Sequence, residues 1–157
     1  MMTEKSKSRL GRIEEEHDRL RDKIASVRSV LLKTGPSGDK TENADWASEL
    51  AEVLTSFHDE IFRHFRDEEQ SGFLAEMERV FPQAKHRVDG LRHEHDRILA
   101  EIRDVLAATI VYAAGRTPEH PALRRWTLSI LDRITKHEHD EGELLQKLLY
   151  TDLGQAD

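Results

Sequence analysis

The chain has 157 residues, 35% of them charged and 37% hydrophobic, with 8 glycines and 4 prolines. That balance excludes a disordered chain and a membrane one, and no apolar run approaches the roughly 18 residues that a spanning helix needs. A net charge of −7, from 31 acidic against 24 basic residues, repels phosphate backbones and argues against nucleic-acid partners, while the absence of cysteine removes disulfides, thiolate metal sites and cysteine nucleophiles together.

In chain order, charged residues from Met1 to Arg9 have no hydrophobic segment behind them, so we expect no secretory signal and a cytoplasmic setting. Leu10, Ile13, His17, Leu20, Ile24, Val27 and Leu31 then follow steps of three and four, the one-sided stripe of a first helix. Thr34 to Asn43 reads as a loop, and Asp45 is placed to cap a second helix with the stripe Trp46, Leu50, Val53, Phe57, Ile61, His64 and Glu68. Ser71-Gly72 loosens that helix, and residues 73–81 form a further short helical turn. Pro82 suits the first position of a third long helix, whose stripe is Val88, Leu91, His95, Ile98, Ile102, Val105 and Tyr112, widened by Leu99 and Leu106. After Gly115 and the run Thr117 to Pro121, the fourth stripe is Leu123, Trp126, Ile130, Ile134, His137, Glu141, Leu144 and Leu148. No strand alternation, repeat or low-complexity tract occurs. Helices of about 25 to 31 residues, each near 40 Å long, predict an all-α fold: an antiparallel, up-down-up-down four-helix bundle in a single domain over 1–157, its core spanning about residues 8–150.

Nine histidines are an unusual number for this length. His17, His64, His95 and His137 each occupy a slot in an otherwise apolar stripe, one per long helix, and Glu68 and Glu141 lie one turn beyond two of them on the same face. If the helices alternate in direction, these six fall within a layer roughly 10 to 15 Å thick at 1.5 Å per residue. A lone core histidine is usually just hydrogen-bonded. Four at one level beside two carboxylates need a shared explanation, because an isolated buried charge is costly; one or two divalent cations supply it. His86, His93 and His139 sit off the stripes and His120 in a loop, so all four are expected at the surface. His58 is expected at a helix interface.

The ordered set Glu16-His17, His64-Phe-Arg-Asp-Glu68-Glu69, Glu94-His95 and His137-Glu-His-Asp-Glu141 resembles the hemerythrin-like, or HHE cation-binding, family over roughly residues 10–150. The resemblance implies a bundle holding a non-haem di-iron centre, two ions with an oxo or hydroxo bridge. Glu68 and Glu141 would bridge the irons, and His17, His64, His95 and His137 would fill terminal positions. The chain departs from the oxygen carriers of that family at Leu91, which stands one turn before His95 where they have a second histidine on the third helix. Four histidines leave both metals room for water or a small ligand, which argues against reversible O2 transport. Family members tied to nitric-oxide stress and iron-centre repair resemble the four-histidine set, but they carry a cysteine-bearing segment and this chain has no cysteine.

The donor types suit iron, manganese, zinc or cobalt, and without thiolates they argue against a closed structural zinc site. The reading at this point is a di-iron protein that binds or senses O2, NO or peroxide in an apolar pocket. An enzyme of peroxidase-like or NO-scavenging type is the first rival. A helical interaction module with a structural or relic metal is the second. A homodimer is left open.

Overall fold

The structure, a computed structural model, describes residues 4–33, 39–116 and 122–154; within the helices, the side chains of residues 6, 7, 9, 10, 148, 149 and 151–154 lie outside that set. The stripe positions Leu10 and Leu148 and the loop residue His120 therefore lie outside the described side chains. The helices are α1 (Glu4–Leu32), α2 (Lys40–Gln70), α3 (Phe73–Val80), α4 (Lys85–Ala113) and α5 (Leu123–Gly154), with a 3₁₀ turn at Pro82–Ala84. The expected all-helical class holds. The expected count of four does not, because α3 is a complete helix of its own.

Three local expectations are corrected. The cap of α2 is Asp39, not Asp45: its Oδ1 accepts the amide hydrogens of Thr41 and Glu42 at 2.8 and 3.2 Å, so helix replaces the polar residues expected as loop up to Asn43. Pro82 opens the 3₁₀ turn and not the long helix, with the Ala84 amide bonded to the Phe81 carbonyl before α4 begins at Lys85. Trp126 is 38% exposed, while Leu123, Thr127 and Ile130 are buried. Thr127 can take the core slot because its hydroxyl donates to the Leu123 carbonyl at 2.7 Å, which leaves only its methyl to pack.

Cross-helix pairs fix the directions. Arg19 meets Glu60, Lys23 meets Ser56 and Lys33 meets Glu49, so α1 and α2 run antiparallel. Arg87 with Glu143, His95 with His137 and Arg133 with Glu101 give the same relation for α4 and α5. Arg28 with Asp132 and the Lys33 carbonyl with Arg124 give it for α5 and α1. Gly72, at φ 79°, turns the chain from α2 into α3 through a left-handed conformation that a Cβ would oppose. The core divides in two. A large cluster is centred on Leu20, Leu50, Phe57, Ile61, Ile102 and Ile134, and a smaller one joins Ile13, Val88, Leu91 and Leu144 to Phe73, Leu74 and Met77 around α3. No helix among the described residues is long and apolar enough to cross a membrane.

Candidate metal centre

On α1, α4 and α5 the residues between the two apolar clusters are polar or glycine. His17 follows Ile13 and precedes Leu20 on α1, and His95 sits between Leu91 and Ile98 on α4. His64 with Glu68 on α2, and His137 with Glu141 on α5, fill the same level, and all six side chains are buried. The structure thus brings together every residue that the stripes single out.

The six form two groups that share Glu68. His17, His64, Glu68 and Glu141 present donor atoms within 4.8 Å of one another, and so do Glu68, His95 and His137. In the first group His64 Nε2 lies 2.6 Å from Glu68 Oε1, and His17 Nε2 lies 3.7 Å from Oε1 of both Glu68 and Glu141. In the second, His95 Nε2 lies 3.2 Å from Glu68 Oε2 and 3.1 Å from His137 Nε2. His137 Nε2 also stands 3.9 Å from Glu141 Oε2, which ties the two groups together.

Closeness here is not bonding. None of the four carboxylate oxygens of Glu68 and Glu141, nor Nε2 of His17 or His64, makes a well-directed hydrogen bond among the described residues. Buried polar atoms are normally satisfied, and buried carboxylates are normally paired or bound to metal. Imidazole and carboxylate donors turned inward without partners fit a divalent cation, and the absence of thiolate argues against a closed structural zinc site.

Two of the rings are held on their outer faces by acids that carry no role in the stripes, and a third has an acid close by. His64 Nδ1 donates to Glu16 Oε2 at 2.9 Å and His95 Nδ1 to Glu69 Oε1 at 2.8 Å, while Glu94 Oε2 stands 3.9 Å from His137 Nδ1. Such bonds fix ring orientation and aim Nε2 at the interior. Their signal was present as acids adjacent to inward residues (Glu16 to His17, Glu69 to Glu68, Glu94 to His95). Each, however, serves a histidine on another helix, which a single stripe does not reveal. Phe65 closes the second group, with its ring stacked on His95 at 3.9 Å and edge-on to His137 at 5.3 Å.

Proton affinities diverge across this layer. Burial alone would lower His64, but its bond to Glu16 and the adjacent carboxylates of Glu68 and Glu141 raise it to about 10. His137 is lowered to about 4 by burial and by the neighbouring His95. Burial likewise pushes Glu68 up, yet the imidazoles of His17, His64 and His95 outweigh it and hold the carboxyl well below its ordinary range. Glu141 goes the other way, raised well above that range by burial and by the charge of Glu68. Glu16, despite burial, is held low by its bonds with His64 and Asp67.

The other histidines stand apart. His86 and His139 are exposed, and His93 Nδ1 bonds to the Asp89 carbonyl at 2.7 Å on an exposed face. His58 lies against Phe62, with Nδ1 3.6 Å from Asp59, and belongs to neither donor group.

No curated protein and no solved structure matches the chain significantly. A family model does, the hemerythrin HHE cation binding domain, over residues 8–149. With most of the chain inside that match, the protein belongs to the hemerythrin HHE cation-binding domain family.

Proposed function

We propose that this chain is a non-haem di-iron protein that binds or senses O2, NO or peroxide in the core of its helical bundle. The observation that carries the reading is the set of four inward carboxylate oxygens on Glu68 and Glu141 that are buried without directed partners beside four inward imidazoles. Two cations offset both carboxylates and accept all the imidazoles, whereas a protein-only network leaves oxygens unsatisfied. His17, His64, Glu68 and Glu141 would hold one ion, and His95 and His137 the other. Glu68, a member of both groups, is the natural bridge, and Glu141 reaches toward the second group through Oε2. Iron bound there would supply electrons and open coordination positions to a small ligand. The chain's own contribution is to fix the rings through Glu16 and Glu69 and to exclude water with Phe65, Ile61 and Ile98, which are all buried.

Elemental analysis of protein purified with iron supplied, together with an absorption spectrum, tests the reading. We expect two irons per chain and charge-transfer absorption that a chelator removes. Full folding and stability with no metal taken up would reject it in favour of an interaction module. A cleft of about 330 Å³ between α4 and α5, lined by Gly90, Leu91 and Glu94, opens beside the position where a fifth histidine would stand. Consumption of peroxide or NO by the iron-loaded protein distinguishes an enzyme from a binder.

A further inference from the structure

The acids behind the imidazoles follow a rule around the bundle. Glu16 on α1 serves His64 on α2, Glu69 on α2 serves His95 on α4, and Glu94 on α4 faces His137 on α5. Each acid comes from the long helix that precedes its histidine in the chain. By the same rotation, His17 on α1 takes its acid from α5. Its Nε2 points at Glu68 and Glu141, and no carboxylate is bonded to its other ring nitrogen among the described residues.

One side chain on α5 stands where the rule requires it. Glu138 lies one residue after His137 and three before Glu141, whose Oε1 already approaches His17 at 3.7 Å. It is half-buried, and its Oε1 is sealed from solvent with no hydrogen-bond partner, which is costly for a carboxylate unless a donor is at hand. It shares with Glu141 the face of α5 turned toward His17, and it lies outside the group of four that present donor atoms to one another. A position beside the centre but outside the donor group suits a second carboxylate behind a ligand, and not a ligand.

We propose that Glu138 is the positioning residue of His17, its carboxylate accepting the Nδ1 hydrogen and so leaving Nε2 free to bind metal. The two are unbonded in this structure, and the proposal requires the Glu138 side chain, whose buried Oε1 has no partner, to turn toward Nδ1. The inference rests on the metal-binding reading above for its consequence, but the contact itself is testable without metal.

The test compares the parent with Glu138→Ala and Glu138→Gln by two measurements. The first is the tautomer of His17 in metal-free protein, from two-bond proton–nitrogen correlations in the imidazole ring. The second is cobalt(II) affinity and absorption on titration. In the parent and in Glu138→Gln, whose side-chain carbonyl accepts the same hydrogen, His17 keeps its hydrogen on Nδ1. Glu138→Ala mixes the tautomers and weakens the ion held by His17 by about 10- to 100-fold, while the ion held by His95 and His137 is unaffected. An unchanged His17 tautomer in Glu138→Ala overturns the proposal, and so does a Gln variant as impaired as the Ala variant. A parent that takes up no cobalt rejects the metal reading alone, since the tautomer measurement still decides the role of Glu138.

Discussion

The two halves of the polar layer are built from the same residue types and are electrostatic opposites. The half between α1, α2 and α5 pairs two imidazoles with two carboxylates and holds a proton on His64, whose pKa is raised to about 10. The half between α2, α4 and α5 has two imidazoles facing each other at 3.1 Å over one shared carboxylate, and His137 there is lowered to about 4. The first half offers a cation more negative charge but must give up a proton to accept it. The second offers less charge, with His137 already neutral. Donor count alone therefore does not rank the halves, because protonation enters with opposite sign in each.

The residue common to both halves gives the most drastic test. Glu68→Ala should reduce bound metal from two ions toward none, read by elemental analysis. In chelator-treated protein Glu68→Gln should lower stability by about 1–3 kcal/mol in urea unfolding, because the buried, protonated His64 loses the negative charge beside it. Retention of one tightly bound ion in Glu68→Ala would show that the halves do not share it.

Leu91→His asks whether the second half can be completed. Leu91 is buried in the smaller cluster one turn before His95, so the change should cost about 1–3 kcal/mol in metal-free protein. With iron present it should alter the spectrum and slow any turnover of peroxide or NO. An unchanged spectrum at full loading would mean that Leu91 does not face the metals.

Acidity separates the halves without mutation. To bind metal, His64 must lose its proton, so affinity in the first half should rise about tenfold per pH unit between about pH 6 and 8. His137, lowered to about 4, adds no slope there. Chelator competition across that range measures it, and a flat profile removes the contrast. In metal-free protein His64 contributes stability that is fully present below pH 6.5 and lost as pH rises through about 10. The contribution of His137 is present above pH 6.5 and lost as pH falls through about 4.

Smaller effects sharpen the picture. Burial and the charge of Glu68 disfavour the ionised form of Glu141, so Glu141→Gln should change metal-free stability by less than about 1 kcal/mol while still weakening metal binding. A large loss of metal-free stability would mean that Glu141 is charged. At the end of the scale, His86→Ala, His93→Ala and His139→Ala should leave metal content unchanged.

Much of this layer was legible in the sequence because the apolar stripes mark the inward face: all four histidines in their slots lie on it, and the antiparallel order then sets their depth. What escaped depends on which helix stands next to which. Glu16, Glu69 and Glu94 act across helix boundaries, so their own stripes say nothing of their partners. The start of α2 was misjudged because one well-placed cap at Asp39 outweighs a polar composition. Trp126 was misjudged because Thr127 hides its hydroxyl in the helix backbone and takes the slot. Helix α3 was foreseen as a turn, but its role as the floor of a second core was not, since that role needs Ile13 and Leu144 from distant parts of the chain.

The division of the core into two apolar clusters, with a charged layer between them, bears on how the molecule opens. Hydrophobic attraction holds each cluster together but is interrupted across the seam. Without metal, α3 and its small cluster should therefore behave as a separate cooperative unit, its amides exchanging with solvent well before those of the larger cluster around Phe57. Ions bound at the seam would grip all four long helices at once and raise the opening free energy of the smaller unit in proportion to the logarithm of metal concentration. Saturated with metal, the two units would exchange as one, and the seam would become the joint that makes the protein a single body.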